Sequence, residues 1–217
     1  MNSNGQVDYY SVLLYDAGTN MSHLPRWSKV LIALVVVVGG GYAVSRFNFS
    51  SATVPTDFSD ARFQGALIAQ DIVNLSNQVS DDLSKVQSLD SNQKTSEALT
   101  LTVDLLKKSA DVRSRAVDLS QQLEKMTSAL SDVRSQDARA AALESIADRL
   151  ALINRLINYS DYLAQLLNNL RQKFAGVKQD NQINSLVSQI NAEVTAINNF
   201  NRQAGQAMDR FDSIVRK

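Results

Sequence analysis

The chain contains no cysteine and a single histidine, His23. Disulfides, thiol nucleophiles and cysteine-based zinc sites are therefore excluded. Histidine-dependent triads and the usual histidine metal clusters go with them. Proline occurs twice and glycine eight times, with three of the glycines adjacent at 39–41. The rest of the chain is nearly free of helix breakers, which favours long helices. Neither charge is in excess: 22 Lys+Arg balance 22 Asp+Glu. Binding nucleic acid requires a basic face that displaces counterions, so no nucleic-acid partner is expected.

Catalytic groupings are missing as well. A di-iron centre in a helical bundle needs inward Glu and Glu-x-x-His pairs. The glutamates are Glu97, Glu124, Glu144 and Glu193, and none has a histidine three residues later. The Gly39–Gly41 run lacks the Lys-Ser/Thr of a phosphate loop. Ser/Asp pairs recur without a base or a nucleophile elbow and read as solvated helix faces. The expectation is a protein without metal or cofactor, and not an enzyme.

What the sequence does contain begins with RWSKVLIALVVVVGGGYAVSRF, residues 26–47. Val30–Ser45 carries no charge and spans roughly 24 Å as a helix, against a bilayer core of about 30 Å. Its flanks lengthen it. Trp27 suits the headgroup level, and Lys29 and Arg46 can snorkel to either side. The segment reads as a single-pass transmembrane anchor that contacts the lipid bilayer through Val30, Leu31, Ile32, Leu34, Val35, Val36, Val37, Val38, Tyr42 and Val44. A competing reading is a secretory signal, with Arg26 and Lys29 as its positive region and Gly41-Tyr42-Ala43 as its cleavage site. Its leading region would then be about 29 residues, longer than most whole signal peptides. Arg26 and Lys29 precede the run and only Arg46 follows it closely. That bias puts the N-terminus in the cytoplasm and the C-terminal part outside the cell membrane.

Residues 1–25 read as a flexible tail with one apolar-aromatic patch, DYYSVLLYD, at 8–16. Residues 48–56 form a Ser/Thr linker, with Thr56 placed to cap a helix and Asp57 and Asp60 in its first turn. The stretch 57–217 is helical throughout, with helices expected at about 57–90, 95–133, 137–175 and 180–216. Apolar residues recur at alternating steps of three and four, as at Val112, Ala116, Leu119, Leu123, Met126, Leu130 and Val133. The last helix repeats this from Ile183 to Val215. Asp137 is a candidate N-cap, and Gly176 a helix-ending residue. Four comparable apolar stripes joined by short loops predict an all-α fold, a long antiparallel up-down-up-down four-helix bundle with coiled-coil-like packing.

Two features of that bundle carry functional expectations. The third helix is apolar over nearly half its circumference. Leu152, Leu156, Tyr159, Leu163, Leu166 and Leu170 mark either a surface for a protein partner or self-association, or the most buried helix. Asn201 interrupts the stripe of the fourth helix, where a core Asn can set register.

The leading expectation is a membrane-anchored bundle with a structural or protein-interaction role outside the membrane, as a scaffold, stalk or docking module. In outline, the part after the anchor resembles the extracytoplasmic four-helix modules of bacterial chemoreceptors. The resemblance lies in architecture and covers no motif. It implies ligand sensing through a separate signalling partner, since no second span follows the bundle before Lys217. Signal cleavage would instead give a secreted helical protein.

Overall fold

The computed structural model describes residues 54–177 and 180–216. The tail at 1–25, the anchor at 26–47 and most of the linker lie outside the described residues. Among the described residues, no helix is long and apolar enough to cross a membrane.

Helix α1 spans Thr56–Ser91, α2 Thr95–Ala129, α3 Gln136–Phe174 and α4 Asp180–Val215. One 3₁₀ turn, Leu130–Asp132, follows α2. The second helix therefore stops before the expected residue 133, where the backbone becomes extended (φ −75°, ψ 115°). Two expected caps are also corrected. Pro55 takes the N-cap of α1 at φ −58° and ψ 140°, and Thr56 is already helical. A proline fits a helix start because its φ is preset and it leaves no orphan N–H. At α3 the cap is Ser135, whose Oγ accepts from the Ala138 N–H at 3.2 Å. Asp137 lies inside the first turn, where its charge favours the helix N-terminus. Gly176 does end α3, at φ +91°, with its N–H donating to the Lys173 carbonyl at 2.9 Å.

Side-chain pairs fix the antiparallel order. Lys108 and Arg115 of α2 meet Asp82 and Asp71 of α1, one number rising as the other falls. Arg155 and Arg210 pair with Glu193 and Glu144 across α3 and α4 in the same inverse order. The start of α1 meets the end of α4, where the Phe58 and Phe211 rings lie 5.1 Å apart. Backbones pack closely between α1 and α2, α2 and α3, and α3 and α4. Helices α1 and α4 do not approach as closely as those pairs.

The stripes read from spacing form the core. Every residue of the α2 series from Val112 to Val133 is buried. The series also runs back through Ser109, Leu105, Thr102 and Ala98, all buried, so the stripe is longer than its apolar part. On α3 the six residues Leu152, Leu156, Tyr159, Leu163, Leu166 and Leu170 are each 8% exposed or less. They are packed within the chain's own core, the buried one of the two arrangements that the wide apolar face allows. The helix is broad in its apolar face because it packs against neighbours on two sides, α2 and α4.

Candidate functional site

The seams between helices differ in chemistry, and that difference locates the candidate site. Small residues bring α2 and α3 together. Ser109 Oγ donates to the Ser160 carbonyl at 3.1 Å, and Ser160 Oγ returns a bond to the Ser109 carbonyl at 3.0 Å. Between α3 and α4, Ser145 Oγ donates to the Ala204 carbonyl at 2.8 Å. Each serine satisfies its own hydroxyl inside the core while letting the backbones approach.

Ion pairs flank these seams. Asp82 of α1 is 7% exposed and accepts from Lys108 at 2.6 Å and Lys85 at 2.8 Å. Burial opposes ionisation of Asp82, but the two lysine hydrogen bonds outweigh it and hold the carboxyl below its ordinary range. Lys173, near the end of α3, reaches Asp90 near the end of α1 at 2.6 Å.

Beyond the Phe58–Phe211 contact, the seam between α1 and α4 carries an ion pair. Arg62 of α1 holds Asp212 of α4 through both Nη atoms, at 2.6 and 2.8 Å. Counting back from Asp212 in sevens keeps to the same helix face and gives Gly205, Asn198 and Asn191, all half-buried. From Arg62 the same step gives Ala69 and Ser76, also half-buried. Asn191 Oδ1 is buried without a hydrogen-bond partner among the described residues.

Arg149 of α3 sits beside this seam. The buried positions Ala138, Ala142, Ser145, Leu152, Leu156, Tyr159 and Leu163 alternate in steps of four and three, and Arg149 occupies the place between Ser145 and Leu152. The register thus puts a guanidinium where the stripe calls for an apolar side chain. Arg149 is half-buried. Burial, and then the neighbouring charge of Arg62, pull its pKa down to about 10. Its side chain takes part in none of the ion pairs or side-chain hydrogen bonds among the described residues. One helical turn from the Ser145–Ala204 contact, Arg149 lies level with Phe200 and Asn201 on the antiparallel α4. Asn201 is half-buried and has no side-chain hydrogen bond among the described residues.

Tyr159 is 2% exposed, and its hydroxyl has no partner among the described residues. Burial pushes this phenol well above its ordinary range. The anchor residues from Trp27 to Arg46 lie outside the described residues. Among the described residues, no three His, Cys, Asp or Glu side chains are grouped to hold a metal ion.

Spacing alone places Arg149 on the α3 stripe and Asn191, Asn198 and Asp212 on one face. That Asp212 faces Arg62 of α1 required the pairing of the helices. No known protein family, curated protein or solved structure matches this chain significantly.

Proposed function

We propose that the protein is a single-pass membrane-anchored helical bundle with a scaffold, stalk or docking role outside the membrane. The observation that carries this reading is the pairing of Phe58 with Phe211 at one end of the bundle. It brings the start of α1, the side from which residues 26–47 lead in, next to the end of α4. The turns at 92–94 and 175–177 then lie at the opposite end. A helix of 39 residues such as α3 is about 58 Å long, so the far turns stand well clear of a bilayer at the Phe58 end.

A continuous core from Phe58 to Leu170 makes the bundle a stiff spacer. A protein partner would use the outer faces, since the α3 stripe is occupied. Val117 of α2 and Leu143 and Leu150 of α3 are 45%, 49% and 43% exposed. The bilayer is the second partner, and the cell membrane the location, with the N-terminus cytoplasmic and the bundle extracytoplasmic.

Membrane fractionation with a carbonate wash tests the reading. The full chain should stay in the pellet, and a chain lacking 26–47 should move to the supernatant. Full-length protein in the supernatant overturns it. Intact mass separates the secreted alternative: a mature chain starting near Val44 supports cleavage, and one starting at Met1 supports the anchor.

A further inference from the structure

We propose that a second copy of this chain packs against the outer side of the α2–α3 seam, making the bundle a twofold dimer. This names the protein partner of the anchored-scaffold reading and rests on it, since a shared membrane sets two bundles side by side.

The core stripe of α2 has an outer companion. Leu99, Val103, Leu106, Ala110, Arg113 and Val117 each follow a buried residue by one position, about 100° round the helix. All are exposed except the half-buried Leu106. On α3, Ala140, Leu143, Ala147 and Leu150 keep the same steps of three and four, and all are exposed. Their register carries on to Ile157 and Asp161. Arg113 and Asp161 form an ion pair, so the two stripes border one seam. Among the described residues eight large hydrophobic side chains are exposed, and five of them lie here: Leu99, Val103, Val117, Leu143 and Leu150. An apolar face of this kind marks an interaction surface.

Charge and size fit a second copy. The half-exposed Arg113 and Asp161 sit near the middle of the strip, which runs from them towards Leu99 at the far turns and towards Leu143 at the Phe58 end. A twofold axis along the seam lays α2 of each copy over α3 of the other. Arg113 then meets the partner's Asp161, and the two pairs close a neutral group in which no covered charge lacks a counter-charge. The helices are antiparallel, so Val117 is level with Ile157, each four residues from the pair. The same axis therefore sets apolar side chains against each other beside the charges. It also keeps both anchors on one side, as a common membrane requires. From Leu143 to the level of Leu99 the seam is about 45 Å long, and two adjacent helices are about 20 Å wide. That face is roughly 900 Å² per copy, enough for a standard stable interface of about 800 Å² a side.

The test uses the purified full chain in density-matched detergent, followed by sedimentation equilibrium. Wild type should be dimeric at micromolar concentration. Val117→Lys with Leu150→Lys should raise the dissociation constant at least tenfold with an unchanged far-UV circular dichroism spectrum. Leu67→Lys, exposed on α1, should leave it unchanged. Arg113→Asp should weaken the dimer, and Arg113→Asp with Asp161→Arg should restore it. A monomeric wild type overturns the proposal. So does a double-lysine variant as tightly dimeric as wild type, which would place self-association elsewhere, such as in 26–47. Should the double-lysine variant lose helical signal, Val117→Ser with Leu150→Ser takes its place and is judged the same way. The carbonate wash keeps the two readings apart. Monomeric protein that stays in the pellet sinks the dimer alone, and dimeric protein released to the supernatant sinks the anchor alone.

Discussion

Arg62 and Asp212, 150 residues apart in sequence, form a two-pronged ion pair between the first turns of α1 and the last turn of α4. Both side chains are largely shielded, at 16% and 13% exposure. Together with the Phe58–Phe211 contact, the pair closes the end of the bundle where the chain enters and leaves it. Losing either partner leaves the other charge partly buried.

Asp212→Ala should therefore cost about 1–3 kcal/mol in urea unfolding followed by circular dichroism. Arg62→Ala should cost a comparable amount, because it leaves the largely shielded Asp212 carboxylate without that pair. Equal and small losses would show that the pair is a solvated surface contact.

The reciprocal serines of α2 and α3 make a separate prediction. Ser160→Ala removes one buried hydrogen bond and should cost about 1 kcal/mol. Ser160→Leu inserts bulk where two backbones meet and should cost more, about 1–3 kcal/mol for overpacking alone. If the leucine variant were as stable as wild type, the close approach at Ser109 would be wrong.

Much of this was legible before any coordinates. Alternating steps of three and four mark the buried faces of α2 and α4, and Gly176 marks the turn after α3. The α3 cap is not legible in the sequence, because Ser135 and Asp137 are both good N-cap residues and only the backbone decides between them. The α3 stripe was ambiguous for a related reason: a wide apolar face looks alike whether a second neighbour or a foreign partner covers it. Arg149 shows the opposite limit. Its place on the stripe follows from counting, whereas its lack of an ion pair among the described residues depends on how the helices sit.

The α3 stripe yields a third prediction. Leu163 and Leu167 have no exposed surface, so Leu163→Ala should destabilise the fold by about 2–5 kcal/mol. Sedimentation of the still-folded variant should show unchanged association. Wild-type stability with lost association would restore the partner-surface reading.

Asp82 predicts a pH dependence. Its folded carboxyl is held below the ordinary 3.8, so its contribution is present above that value. It is lost as pH falls from about 3.8 through the lower folded pKa. Asp82→Asn should flatten this part of the acid limb of the stability–pH curve while leaving the slope near neutrality unchanged. An identical acid limb in both proteins would remove Asp82 from the account.

The absence of cysteine from the whole chain permits a direct measurement of the central claim, a bundle held outside the membrane by a single anchor. Single cysteines introduced as Ser3→Cys and Ser96→Cys are treated in intact cells with a membrane-impermeant maleimide. Ser96 is exposed near the start of α2, at the far turns. The anchored arrangement predicts labelling at position 96 and protection at position 3 until the cells are permeabilised. Labelling of both in intact cells, or of position 3 alone, would contradict it.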